Sequence, residues 1–481
     1  MASHSLLIGG EWVAARAGET ENVTSPFNGD IVGEVALARP ADATLAIDAA
    51  VRGFDVWRRT PAHARFAILT RAAQLADERV EEMAQLMSRE NGKSLVESRG
   101  EAGRSGDIIR LAAFEGSQLY GESLPLDANR GTGFDKIGFT IRQPVGVVVA
   151  ISPFNYPALL VLHKIAPALA AGNAVVLKPA RATPLTALAV AQCFLDAGLP
   201  AGVLNVITGG GSDIGDALVR DSRVRKISFT GSTVVGEHIA SVAGIKKLSL
   251  ELGASGPVIV MDDADIEAAA TSIALGGYIN AGQVCISAQR IIVSESIVGD
   301  FLDALKPKVE AIRVGDPLAD GINVGSLISR VEADRVMASI TAAVSSGATL
   351  ITGGQQDGTV ITPTIVADVD PYSPFAQDEL FGPAVAVSTA RDLAHAIELA
   401  NSTAYGLGAG MFTNNLASSI RAIREIESGV VHVNWTQLWR ADLMPYGGFK
   451  SSGIGKEGPR SAVDEMTEIK TVILHGTPWD N

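Results

Sequence analysis

The middle of the chain alternates short, continuously apolar runs with longer amphipathic stretches. VGVVVAIS (145–152) has no polar face and reads as a strand buried on both sides. NAVVLKP (173–179), VLNVITG (203–209), RKISFTG (225–231) and KKLSLELG (246–253) repeat the pattern. LLVLHKIAPALAAG (159–172) and TPLTALAVAQCFLDAG (183–198), between them, have helical length. Buried strands separated by helices predict an α/β fold with a parallel sheet covered on both faces. A second α/β series starts near PVIVMDDAD (257–265) and runs to about FGPAVAVS (381–388). Two lobes are therefore expected, with the joint near Gly253.

The segment 120–141 departs from this pattern. It is rich in Gly, Asp and Thr, and then KIGFTIRQP (136–144) alternates apolar and polar residues. A hairpin leaving the first lobe is expected there. EIKTVILH (468–475) reads as a second isolated strand. Lone hairpins and strands need a partner sheet, so assembly by sheet addition is expected. The boundaries expected from these patterns are 1–119 with 142–252 for the first lobe, 253–440 for the second, and 120–141 with 460–481 for a small β element.

Composition narrows the functions available. The 481 residues are 47% apolar, enough for a large core, and carry a formal charge of −14. That balance argues against general affinity for nucleic acid or an anionic membrane, both of which select a basic face. Only Cys193 and Cys285 are present, which gives no disulfide framework and fits a reducing cytoplasm. MASHSLLIGGEWVAARAGE lacks the basic n-region of a signal peptide. The longest apolar stretch (157–171) is interrupted by His163 and Lys164 and is too short to span a bilayer, so a soluble protein is expected. The seven histidines have no ligand spacing, and no metal is expected.

Four segments could carry chemistry. In AGQVCIS (281–287), Cys285 is either a core cysteine or an accessible thiol, and the Gly-containing turn before it weakens the core reading. In ELGA (251–254), Glu251 ends an apolar strand, either facing solvent or serving as a base in a cleft between the lobes. Free carboxyl and thiol pKa values differ by about 4 units, so Glu251 would deprotonate a free thiol only uphill, by roughly 5–6 kcal/mol. It is better suited to activating water, and Cys285 needs other help. In ISPFNYP (151–157), Asn155 is either a turn residue or an amide donor to an oxyanion. FTGSTVVGEHIA (229–240) runs from strand through a Gly turn into a helix start, a natural seat for phosphate oxygens. GGGSD (209–213) is Gly-rich but lacks the Lys-Ser/Thr pair of a phosphate loop. Cys193, in an apolar helix, is expected to be core.

PFNYP, KPA with TP (178–184), FTGST, ELGA, GQVCIS, DELFGP (378–383) and MPYGGFKSSGIGKEG (444–458) follow one another in this order. Together they resemble the aldehyde dehydrogenase superfamily over nearly the whole chain. The resemblance implies a Rossmann-type cofactor domain, an α/β catalytic domain and a small β oligomerisation element, in homodimers or homotetramers. It implies Cys285 as nucleophile, Glu251 as base, and Asn155 with the Cys285 backbone N–H as oxyanion donors. A thiohemiacetal on Cys285 would give hydride to NAD or NADP, and water activated by Glu251 would hydrolyse the thioester. A CoA-acylating enzyme would typically lack Glu251, and a catalytically silent relative would lack the full set.

The same resemblance implies the cofactor contacts. Lys178 falls at the adenosine ribose, Gly231 and Ser232 at the pyrophosphate, and Glu379 and Phe381 at the nicotinamide ribose. Ile151, Ser152, Phe154, Gly211 and Leu252 fall around them. Two departures stand out. Arg181 replaces the Glu that many NAD-using relatives carry, and a guanidinium can pair with a 2′-phosphate, so NADP is expected to be tolerated. Phe154 stands where many relatives have Trp. Arg104 and Arg110, in GRSGDIIRLAAFEG (103–116), Arg290 after the nucleophile, and Arg440 in WRADLMPYGG are the expected substrate contacts. They point to a small polar or anionic aldehyde.

Overall fold

A computed structural model describes residues 3–476 of the chain. Residues 477–481 of the expected terminal element, and the first two residues, lie outside that range. Each run predicted as a buried strand in the first lobe forms one. Val147–Ile151, Ala174–Lys178, Leu204–Val206, Val224–Thr230 and Lys247–Glu251 pair in parallel within an eight-stranded sheet. Alternate residues serve different cores, with Val148 and Ala150 packing on one face and Val147 and Val149 on the other.

The strand order places the ligand crevice. From Val147–Ile151 the chain proceeds through Ala174–Lys178 and Leu204–Val206 in one direction. It then returns to lay Val224–Thr230 and Lys247–Glu251 on the other side. Ligands of open α/β sheets bind outside the carboxyl ends of the strands at such a reversal. Here that point lies beyond Ile151 and Thr230.

The second lobe is a seven-stranded sheet in which Thr364–Ala367, Ala384–Ala390, Arg290–Ser294, Pro257–Val260, Gly408–Phe412 and Val430–Val433 run parallel. It extends well past 388, where the sequence pattern fades. Gly408 and Gly410 hide the strand Gly408–Phe412, because glycine carries no apolar signal. A Cβ on Gly410 would lie 2.8 Å from the Trp435 carbonyl oxygen, so the close approach of that loop requires glycine.

The expected hairpin and terminal strand are not lone elements. Thr467–His475 pairs antiparallel with Lys136–Pro144 along its whole length, and Ser123–Leu124 completes a three-stranded sheet. Each supplies the partner the other lacked. The other edge of Thr467–His475 is open. Helix Pro459–Glu465 packs on helices Ser105–Ser117 and Leu159–Ala170. Gly453–Ile454 pairs with Lys247–Glu251, so the chain crosses back to the first sheet. Among the described residues, no helix is long and apolar enough to cross a membrane, and no cluster of His, Cys, Asp and Glu could hold a metal.

Candidate active site

A cleft of about 1190 Å³ opens at the strand reversal and reaches from the first lobe to the second. Ile151, Ser152, Phe154 and Asn155 enter it from the loop after Val147–Ile151. Lys178 enters from its strand end, and Leu252 from the link between the lobes. Gly211 opens helix Gly211–Arg220, and Gly231 and Ser232 precede helix Thr233–Val242. Neither helix start has a side-chain cap, so first-turn N–H groups remain for phosphate oxygens. The second lobe contributes Cys285, Glu379 and Phe381. Phe154 and Phe381 meet edge to face, 5.9 Å between centroids. Such a cleft fits a dinucleotide, with helix starts for its phosphates and a carboxyl and aromatics at its far end.

Burial shifts two charged groups of the cleft, Glu379 and Lys178, toward neutrality. The Glu379 carboxyl, which accepts from the Ala254 N–H at 3.0 Å, is pushed up to about 7 by burial. Burial, aided by the charge of Arg181, brings Lys178 down to about 8.

Arg181 itself does not line the cleft. It makes a bidentate pair with Glu21, with three contacts of 2.6–3.0 Å. Glu21 lies on strand Thr20–Thr24.

The turn before Cys285 is unusual. Asn280, Ala281 and Gly282 all have left-handed backbone, at φ 51°, 54° and 70°. A Cβ on Gly282 would lie 2.1 Å from the Gly382 oxygen, so only glycine fits there. Asn155 Nδ2 donates to the carbonyl of Gln283 in this turn at 2.9 Å, leaving its second N–H free. The Asn155 carbonyl accepts from Lys93 Nζ at 2.6 Å and from Asn280 Nδ2 at 3.1 Å. Lys93 is buried, bonds Glu101 at 2.5 Å and lies 4.1 Å from the centre of the Tyr156 ring. Glu101 in turn accepts from the N–H groups of Ala158 and Leu159, the open start of helix Leu159–Ala170.

The Cys285 sulfur lies 3.2 Å from the Tyr446 hydroxyl. Burial pushes the thiol up to about 12, against a lowering hydrogen bond from Tyr446.

Glu251 is neither solvent-facing nor on the cleft wall. It is 4% exposed, and neither carboxyl oxygen has a hydrogen-bond partner among the described residues. Burial first, and then the charge of Glu457, raise its pKa well above the carboxylate range. Burial also opposes ionisation of Glu457, yet Lys164 and Arg440 hold that carboxyl well below its usual range. Lys164 Nζ bonds Glu457 at 3.1 Å, and both terminal nitrogens of Arg440 bond it at 3.2 Å.

The four arginines expected at the substrate separate into two pairs. The Arg440 side chain is 11% exposed, with Nε lacking a partner among the described residues and its guanidinium 3.9 Å from the centre of the Tyr446 ring. Arg104 pairs with Asp442, which also lies 3.6 Å from His163. The other two expectations are corrected. Arg110 is on the surface, paired with Asp77 and Asp107. Arg290 points away from the site at the start of its strand. It donates to the Leu399 and Ala400 carbonyls and to Ser402, closing the end of helix Leu393–Asn401. Nearness to Cys285 in sequence misled, because the chain turns from loop into strand between them. Cys193 is buried in the core, as expected. Sequence reasoning missed Glu21, Lys93, Lys164, Tyr446 and Glu457; the last two lie within motifs that had been noted, but no local signal showed what they touch.

Residues 12–472 match the Aldehyde dehydrogenase family. The chain is 42% identical over 473 residues to the 3-sulfolactaldehyde dehydrogenase of Priestia aryabhattai, covering 98% of each. It is 40% identical over 481 residues to the phenylacetaldehyde dehydrogenase of Pseudomonas fluorescens, covering 98% of this chain and 96% of that protein. The fold superposes with a TM-score of 0.97 on the NADP complex of an NADP-dependent glyceraldehyde-3-phosphate dehydrogenase from Bacillus halodurans C-125. That protein is 36% identical, with 99% of this chain and 100% of that one covered. The chain thus belongs to the aldehyde dehydrogenase family and is an NAD(P)-dependent aldehyde dehydrogenase.

Proposed function

We propose that the chain oxidises a small anionic aldehyde to its acid, with Cys285 as nucleophile, Asn155 as oxyanion donor and Glu251 as the base for hydrolysis. The observation that carries this reading is the presence of the Cys285 thiol and the Asn155 amide in one cleft with every predicted dinucleotide contact except Arg181. When bound, the nicotinamide accepts the hydride. The Cys285 thiolate attacks the carbonyl carbon, and the carbonyl oxygen takes up the displaced electron pair. The free N–H of Asn155 is available to that oxygen. After hydride leaves, a thioester remains on Cys285. Once ionised, Glu251, whose proton affinity burial raises, removes a proton from the water that hydrolyses it. Retention of this carboxyl favours water over CoA as acceptor.

The anionic substrate class rests on Arg440 and Arg104, and on relatives named for 3-sulfolactaldehyde and glyceraldehyde-3-phosphate. Arg440 is a largely enclosed cation whose Nε–H has no partner among the described residues, beside the Tyr446 ring. A carboxylate, sulfonate or phosphate two or three atoms from the aldehyde would find charge there. A steady-state panel comparing sulfonated or carboxylated aldehydes with phenylacetaldehyde tests this. Arg440→Met raises KM for the anionic members about tenfold or more, as expected for one lost charged hydrogen bond, and leaves the neutral one nearly unchanged. Equal effects on both would overturn the assignment. The open edge of Thr467–His475 supports assembly through sheet addition, as a dimer or tetramer, and light scattering reads it directly. Two unpaired cysteines favour a reducing cytoplasm.

A further inference from the structure

Tyr446 is fixed more firmly than packing alone requires. Its backbone N–H donates to the Glu457 carbonyl at 3.0 Å, and its carbonyl accepts from the Glu457 N–H at 2.6 Å. Its ring is buried under the Arg440 guanidinium, which the Glu457 carboxylate holds in place. One residue thus holds both the tyrosine backbone and the cation stacked on its ring. The hydroxyl that this arrangement aims has one partner among the described residues, the Cys285 sulfur at 3.2 Å.

In the neutral pair either group can donate. Once the thiol ionises, the sulfur has no proton, and only the phenol can donate. Hydrogen bonds to a charged acceptor are stronger than neutral ones, so the contact favours the thiolate over the thiol. The Arg440 cation over the ring draws electron density from it and strengthens the O–H as a donor. Burial opposes the thiolate, and among the described residues no other side chain donates to the sulfur.

We infer that Tyr446, backed by Arg440, is a catalytic residue that donates a hydrogen bond to the Cys285 thiolate. The Cys285 S–H gives its proton to water in the cleft, which passes it to solvent, and the Tyr446 O–H donates to the thiolate left behind. The sulfur pair then forms the C–S bond, the carbonyl π pair moves to oxygen, and the bond from Tyr446 weakens. When hydrolysis breaks the C–S bond, the pair returns to sulfur and the phenol meets it again. Tyr446 thus serves both the attacking and the leaving sulfur.

The inference rests on Cys285 as nucleophile. The experiment is alkylation of the free enzyme by iodoacetamide, with Cys285 modification followed by mass spectrometry from pH 7 to 10. In Tyr446→Phe, which keeps the ring and its stacking, alkylation at pH 8.5 is expected to slow about tenfold, one pH unit of thiol acidity. Arg440→Met is expected to slow it in the same direction. A Tyr446→Phe rate within twofold of the parent at every pH, with an unchanged melting temperature, overturns the role of Tyr446. If alkylating Cys285 leaves dehydrogenase activity intact, the nucleophile assignment itself fails.

Discussion

The ammonium of Lys93 is bonded to the backbone carbonyl of Asn155 at 2.6 Å and to the carboxylate of Glu101 at 2.5 Å. Sixty-two positions separate Lys93 from Asn155 in the chain. The side chain proposed to meet the oxyanion is thereby set by a buried ion pair that touches no substrate.

Lys93→Met leaves Glu101 as an unpaired buried charge and is expected to cost about 3–5 kcal/mol of stability. Adding Glu101→Gln removes that charge while its amide oxygen can still accept from Ala158 and Leu159, and most of the stability returns. Turnover behaves differently. In the double variant kcat stays low with KM for the aldehyde little changed, and Asn155→Ala in that background lowers kcat no further. Independent, multiplying losses would show that Lys93 does not act through Asn155.

Cofactor choice is expected to turn on Glu21. An exposed ion pair is worth at most about 1 kcal/mol, but it occupies the fork of Arg181 that a 2′-phosphate would use. Glu21→Gln is therefore expected to favour NADP over NAD by about threefold to tenfold in kcat/KM, and to tighten binding of adenosine 2′-phosphate in calorimetry. Arg181→Ala should abolish both gains. An unchanged ratio in Glu21→Gln, with a loss of NADP binding in Arg181→Ala, would remove Glu21 from the mechanism and leave Arg181 in it.

Glu379 links the cleft to pH. Its folded-state pKa of about 7 lies above the unfolded value of 4.5, so the folded chain favours the protonated form. The stability this proton brings is full below pH 4.5 and is lost as pH rises toward 7. Glu379→Gln cannot ionise, and its oxygen can still accept from Ala254. Above pH 7 it should be more stable than the parent by up to about 3 kcal/mol, with the gap closing toward pH 4.5. Urea unfolding at pH 5 and pH 8 reads the difference, and a gap equal at both would refute the assignment.

What the sequence made legible was local. Strand, turn and helix follow one another within a dozen residues around Gly231, and continuous apolar runs announce a doubly covered sheet. The positions of Lys178, Ser232, Glu379 and Phe381 followed from short motifs in family order. Contacts made far along the chain were not legible. Tyr446 meets Cys285 across 161 positions, and Arg181 meets Glu21 across 160. No periodicity records such pairings, because they depend on how two finished sheets dock. Arg290 shows the converse: proximity in sequence to Cys285 says nothing about direction once a strand begins. Glu251 was placed at a strand end, but its lack of any partner depended on what Glu457, Lys164 and Arg440 do to one another.

The left-handed turn Asn280–Ala281–Gly282 has a counterpart across the lobe. Phe381 is also left-handed, at φ 49°, and Gly382 beside it is the residue on which Gly282 rests. Gln289 braces the same loop, accepting from the Leu380 N–H at 3.0 Å and donating to the Asp378 carbonyl at 2.8 Å. The segment that carries the thiol and the segment that carries Glu379 and Phe381 are thus in backbone contact, glycine against glycine. A methyl group on Gly282 would act as a shim. It would change the spacing between the sulfur and the segment of Glu379 and Phe381, while every reacting group kept its identity.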